Sequence, residues 1–177
     1  MKNTFKMKLK LLALLALCLC LPLAGADEAT GIKKWEFETQ EGVSSSPAIG
    51  ADGAVYIGTQ ESWFYALDSK TGKVEWRKDL SGAITSSPAI GADGTIYIGT
   101  QSSWFYALDG KTGKVEWRKD LSGAITSSPA IGSDGTVYVG SLGKKVYAIA
   151  TSSKGLAKSP WPMRGQNSQR TGRAPKK

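Results

Sequence analysis

The chain contains no histidine and only two cysteines, Cys18 and Cys20, among 177 residues. Without histidine there is no Ser-His-Asp triad, no imidazole general base and no His-ligated metal. Two cysteines cannot build a four-cysteine zinc site or a scaffold of several disulfides. Long apolar runs are also missing: the longest stretch, Leu11 to Ala24, is interrupted by Pro22, and a membrane span needs about 18 apolar residues or more. At 41% hydrophobic and 21% charged residues, the composition fits neither a disordered chain nor an integral membrane protein. The length suggests one domain. What is abundant is glycine, with 21 residues, and tryptophan, with 6.

The N-terminus reads as an address. Lys2, Lys6, Lys8 and Lys10 precede the apolar run, which ends at Ala24-Gly25-Ala26 ahead of Asp27-Glu28. A basic, an apolar and a small-residue part in that order make a secretory signal peptide over residues 1–26. The expected product is exported, periplasmic or secreted. A lipoprotein is the alternative, with one cysteine as the lipidated first residue. That signal wants a small residue before the cysteine, and here leucine (Leu17, Leu19) precedes both. Cleavage after Ala26 removes both cysteines, so the mature chain would form no disulfide.

Charge divides on the same line. The formal net charge is +8. Residues 27–150 nevertheless hold 12 basic and 15 acidic side chains, and residues 151–177 hold seven basic ones and no acid. The body is slightly acidic and the basic character sits at the two ends. A basic tail over 152–177 could meet nucleic acid, anionic lipid or an acidic protein. It lacks interleaved aromatics beyond Trp161, so it reads as a solvated segment that docks in part through Pro160-Trp161-Pro162. No nucleic-acid partner and no transmembrane span are expected.

Internal repetition is the strongest signal. Pro47, Pro88 and Pro129 are 41 residues apart, as are Trp35, Trp76 and Trp117. Ser44–Ile84 and Thr85–Ile125 agree at 36 of 41 positions. The second unit reads as four strands. Ser86–Gly91 is the first, and Ala92-Asp93-Gly94 a tight turn with the φ > 0 position that Asp-Gly supplies. Thr95–Thr100, β-branched and aromatic, and Trp104–Leu108 follow. Asp109–Gly113 is a second turn, and Lys114–Lys119 alternates as an outer strand does. Four strands in about 40 residues is the period of a β-propeller blade. Middle strands apolar on both faces fit a blade between two neighbours. A solenoid is the alternative, disfavoured by the hairpins and the absence of a helical period.

Ala66-Leu67-Asp68-Ser69-Lys70-Thr71-Gly72-Lys73-Val74-Glu75-Trp76 reads A-x-D-x-x-T-G-x-x-x-W, and Ala107–Trp117 repeats it. This resembles the tryptophan-docking motif of the pyrroloquinoline-quinone (PQQ)-like β-propeller family. The resemblance covers Trp35 to about Thr151. It implies that Ala66, Asp68, Thr71, Gly72 and Trp76, with Ala107, Asp109, Thr112, Gly113 and Trp117, form a structural motif. In it, the Trp of one blade packs on its neighbour and the Asp and Thr-Gly close the turn. Ser159–Gly165, continuing to Arg170-Thr171-Gly172, looks like a closing segment of such proteins. The third unit departs: Ala148 is kept, Ala150 replaces the Asp, and Lys158 stands where the Trp belongs.

The expected fold is therefore all-β, a partial propeller of about three four-stranded antiparallel blades over 27–151. The blades fall at about 44–84, 85–125 and 126–151, with an extra outer strand at 33–39. A propeller ring usually has four to eight blades. The extra strand could complete the third blade of its own chain or of another copy, two copies giving six blades. An open arc would leave Val55, Ile57, Leu67 and their repeats in water. A truncated or recently duplicated piece of a longer propeller is the other reading.

No catalytic, cofactor-binding or metal-binding residue is expected. Quinoproteins of the superfamily hold PQQ and calcium with carboxylates, an Asn, a catalytic Asp and often a neighbouring disulfide. Here the only Asn after the signal is Asn167. Asp52, Asp93 and Asp134 recur as turn residues and lack the D-x-D-x-D-G spacing of a calcium loop. Gly110-Lys111-Thr112 is no phosphate loop, because Phe105 stands where its first glycine belongs. The repeated Trp-Phe-Tyr at 63–65 and 104–106 reads as blade packing, with Trp63 and Trp104 as candidates for a partner surface. Two functions remain. One is a non-catalytic binding or scaffold module of the cell envelope, similar to the propeller of the outer-membrane assembly machinery, with a protein partner. The other is a PQQ-dependent oxidoreductase fragment or relative that needs PQQ and calcium.

Overall fold

The computed structural model describes residues 31–167. The leader with Cys18 and Cys20, and Arg170-Thr171-Gly172, lie outside the described residues. The chain divides into two units, Met1–Lys33 and Lys34–Lys177. In the first, the described residues 31–33 carry no strand. The second is all-β, with eleven strands and no helix among the described residues.

The first sheet holds β1 (Ala48–Ile49), β2 (Val55–Gly58), β3 (Trp63–Leu67) and β4 (Val74–Asp79) in that order. The second repeats it with β5 (Ala89–Ile90), β6 (Thr95–Gly99), β7 (Trp104–Asp109) and β8 (Val115–Asp120). The third has three strands, β9 (Ala130–Ile131), β10 (Val137–Ser141) and β11 (Lys145–Ile149). All pairings are antiparallel between sequence neighbours. This is a partial β-propeller: two full blades and one that lacks its outer strand.

The turns follow from the residues. Gly53, Gly94 and Gly135 have φ of 89°, 87° and 85°, a region open to glycine at no steric cost. The β3–β4 and β7–β8 pairs each shift register once, at Ala66/Leu67 and Ala107/Leu108. Such a bulge bends the outer strand.

The core lies between blades. Tyr56, Phe64, Leu80 and Ile84 of blade 1 meet Ile90, Ile96, Ile98 and Leu108 of blade 2. Phe105, Leu121 and Ile125 of blade 2 meet Ile131, Val137 and Val139 of blade 3. Only the central blade has neighbours on both sides, and all five residues of β6 are buried.

Three expectations need correction. The inner strand of each blade is two residues long, not six, because the serines before each proline bond elsewhere. The strand expected at 33–39 is not formed, and the segment joins no ladder. It therefore does not complete the third blade of its own chain. Finally, Val55 and Ile57 are partly exposed, but Leu67 is 3% exposed, with Trp35 and Phe37 set against the adjacent Gly72 and Tyr65. On the third blade Val137 and Val139 are buried against blade 2. The exposed residues there are Tyr138, Val146 and Ala148, on the opposite face.

Candidate functional site: turns, inner edge and rim

The docking motif is a joint between blades. In blade 1, Asp68 Oδ1 accepts hydrogen bonds from Thr71 N (2.7 Å), Thr71 Oγ1 (2.6 Å) and Lys70 N (3.2 Å). Gly72 N donates to Asp68 O at 2.8 Å, and Gly72 has φ of 70°. A Cβ at Gly72 would sit 2.6 Å from the Trp35 ring, so only glycine lets that ring lie flat on the turn. Trp35 Nε1 donates to Ser69 O at 2.8 Å. Blade 2 repeats the set. Asp109 accepts from Thr112 N and Oγ1 at 2.8 and 2.6 Å, Trp76 lies 2.5 Å from a Cβ built at Gly113, and Trp76 Nε1 donates to Gly110 O at 2.9 Å. Trp76 also packs, tilted, at 5.9 Å against both Tyr56 and Phe64 of its own blade. Trp117 does the same on Tyr97 and Phe105, at 5.9 and 6.1 Å. No matching turn receives Trp117, since Ala150 and Lys154 stand at the Asp and Gly positions of blade 3. Ala66 and Ala107 are fully buried opposite their tryptophans.

A second joint, not found from the sequence, runs along the inner edge. Ser45, Ser86 and Ser127 each use one hydroxyl to hold the backbone of Gly58, Gly99 and Gly140, accepting from N and donating to O at 2.7–3.2 Å. The next serine links blades: Ser46 N donates to Ser87 Oγ (2.8 Å), and Ser87 N to Ser128 Oγ (3.0 Å). The available signal was the Ser-Ser-Pro triplet recurring every 41 residues.

The tail closes over this edge. Ile49 N donates to Trp161 O (2.7 Å) and Ile90 N to Pro162 O (2.8 Å). Ala92 N donates to Gly155 O (2.9 Å), and Ala157 N to Ile90 O (2.9 Å). Met163 is fully buried. Over 153–163 the segment is a strap across the inner strands of blades 1 and 2, not a solvated tail.

All seven aspartates among the described residues accept a backbone N–H from two or three residues ahead: Asp52, Asp68, Asp79, Asp93, Asp109, Asp120 and Asp134. Each carboxylate closes a local Asx turn. Hydrogen bonds hold five of them below the usual aspartate range. The leading donors are the Thr71 hydroxyl to Asp68, the Ser62 hydroxyl to Asp79, the Thr112 hydroxyl to Asp109, Ser122 N to Asp120 and Thr136 N to Asp134. A depressed folded pKa means that the unfolded chain binds more protons in acid. These carboxylates thus stabilise the fold above the unfolded value of about 3.9, and that stability is lost as pH falls through the folded values. Thr71→Val with Thr112→Val is expected to lower urea stability at about pH 6, with a smaller loss as pH falls through the folded values. A loss independent of pH would contradict this.

A cleft of about 360 Å³ opens on the turn end, lined by Asp52, Tyr56, Asp93, Asp109, Gly110 and Lys111 among others. Burial, with the charges of Asp52, Glu75 and Asp109, pushes the Tyr56 phenol well above its ordinary value, and its hydroxyl donates to Gly110 O at 3.0 Å. Among the described residues no group of three or more His, Cys, Asp or Glu could hold a metal ion. Asp52, Asp93 and Asp109 face this cleft with an oxygen already turned to their own backbone.

At the opposite end, Arg77 lies 4.5 Å over the Trp63 ring and Arg118 lies 4.2 Å over Trp104. Both tryptophans are partly buried and both arginines exposed, so two cation–π pairs repeat along one rim. Lys145 replaces the tryptophan in blade 3. No helix among the described residues is long and apolar enough to cross a membrane.

Antiparallel blades packed one against the next, with tryptophans docked on the neighbouring blade's turn, define a β-propeller protein of the PQQ-like class. The chain belongs to the family described as outer membrane protein assembly factor BamB, whose model matches residues 23–153. No curated protein matches the chain. Among solved structures, BamB from Moraxella catarrhalis is 23% identical with a TM-score of 0.58, over 68% of this chain and 37% of that one. Quinohemoprotein alcohol dehydrogenase ADHIIG from Pseudomonas putida HK5 is 24% identical with a TM-score of 0.57, over 72% and 22%. The Comamonas testosteroni quinohemoprotein alcohol dehydrogenase is 25% identical with a TM-score of 0.51, over 60% and 18%. The chain thus matches well under half the length of each neighbour.

Proposed function

We propose that this chain is an exported, non-catalytic β-propeller module of the cell envelope that works by holding a protein partner. The observation that carries the reading is the use of all seven described aspartates in turns. General acid–base or metal chemistry needs carboxylates free to act in a cleft, and each of these, including Asp52, Asp93 and Asp109 at the turn-end cleft, spends an oxygen on its own backbone. Family membership supports the same reading. The Trp63–Arg77 and Trp104–Arg118 pairs suit a protein contact, because Trp and Arg dominate interface energetics. The competing reading, a PQQ-dependent oxidoreductase relative, draws support from the quinohemoprotein neighbours.

A photo-crosslinker placed at Gln101, beside the Trp104–Arg118 pair, tests the rim in living cells. It is expected to trap one discrete envelope protein, and Trp104→Ala with Arg118→Ala to abolish the product. The same crosslinker at Lys73, on the turn end, is expected to trap nothing specific. Equal products at the two positions, or products indifferent to the double substitution, would sink the rim as the partner surface.

A further inference from the structure

The two free faces of the arc are halves of one joint. Residues 34–43 are held against blade 1 by the bonds that β4 and its following loop make to blade 2. Trp35 Nε1 reaches Ser69 O as Trp76 Nε1 reaches Gly110 O, 41 residues on. Gln60 N donates to Gly42 O at 3.1 Å as Gln101 N donates to Ala83 O at 2.9 Å. Blade 1 therefore carries in front of it a segment that occupies the place of a neighbouring blade's outer strand without a ladder of its own among the described residues.

Blade 3 is the converse. It has three strands and no fourth, and after Ile149 its chain turns away to strap the inner edges of blades 1 and 2. The face that a fourth strand would cover is bare. Tyr138 is 45% exposed where its repeats Tyr56 and Tyr97 are 3% and 1%. Val146 is 81% exposed where Phe64 and Phe105 are fully buried. A Cβ at Gly58 or Gly99 would strike Ile84 or Ile125 at 2.3 or 2.1 Å, but at Gly140 its nearest neighbour would be Ser127, at an ordinary 3.5 Å.

We infer that residues 34–43 of a second copy supply this fourth strand, each copy completing the other, so that two three-blade arcs close one six-bladed ring. Repeat register fixes the pairing. Ala66 faces Trp76 and Ala107 faces Trp117; the same offset sets Ala148 opposite Trp35, Val146 opposite Phe37 and Lys145 opposite Glu38. Trp35 then lies over Tyr138 and Val146 as Trp76 lies over Tyr56 and Phe64. Val43, 48% exposed and 41 residues before Ile84, roofs Gly140. Charge agrees: β11 opens with Lys145 after Lys144, and the incoming segment carries Glu36, Glu38 and Glu41. Six blades lie inside the range of closed propellers.

The full chain in light scattering is expected at twice its mass of 18.8 kDa. Val146→Asp, a change at an exposed site that leaves the single arc folded by circular dichroism, is expected to halve that mass. Lys145→Glu and Glu38→Lys are each expected to weaken the pair, and the double exchange to restore it. A single-chain mass for the unaltered protein, masses growing beyond two chains, or a pair indifferent to Val146→Asp would overturn the proposal.

Discussion

Trp76→Ala is expected to cost about 3 kcal/mol of stability, the lower end for deleting a large aromatic because the ring is only partly buried. Three losses combine. The tilted ring contacts with Tyr56 and Phe64 at 5.9 Å disappear, the bond to Gly110 O is lost, and the Gly113 turn is uncovered. The comparison with Trp117→Ala is the sharper test. Trp117 keeps the first contribution, on Tyr97 and Phe105, but faces a blade whose Asp and Gly positions are Ala150 and Lys154. Its loss should be smaller by at least about 1 kcal/mol, the net value of one hydrogen bond. Urea unfolding of both variants measures the difference. Equal losses would mean that the tryptophans act within their own blades and join nothing.

Met163→Ala is expected to cost about 2–5 kcal/mol, the range for truncating a buried methionine. The side chain is fully buried against the cluster between blades 2 and 3, although it lies in a segment whose composition reads as solvated. Arg164→Ala, next in sequence and exposed, should stay within about 0.5 kcal/mol. Denaturant midpoints at an unchanged slope decide it. A neutral Met163→Ala would return the strap to a loose tail.

Blade identity was legible because the repeat copies its own exceptions. Gly53, Gly94 and Gly135 recur where the backbone needs positive φ, and Asp68 and Asp109 recur where a turn needs a carboxylate. What recurs at every blade is architecture, and that reasoning placed the aspartates in turns. The strap was not legible for a definite reason. Its anchors are the carbonyls of Gly155, Trp161 and Pro162, which every residue type owns. Its cations, Lys154, Lys158 and Arg164, are the exposed positions, while Ser153, Gly155, Pro162 and Met163 are buried between them. Charge drew the reading to the wet face. The serine ladder was hidden because Ser46 N and Ser87 N leave their own sheet for the neighbouring blade. That also shortens each inner strand to two residues. The segment at 33–39 has the pattern of an outer strand but pairs with no strand among the described residues, so pattern alone overstated what forms.

The central claim is that the carboxylates of this propeller serve its turns and its surfaces serve a protein partner. The most direct measurement is a titration of the full chain with PQQ and Ca²⁺, followed by tryptophan fluorescence and by dye-linked alcohol oxidation. The account predicts no saturable quenching and no turnover. Saturable quenching accompanied by oxidation of the alcohol would contradict it.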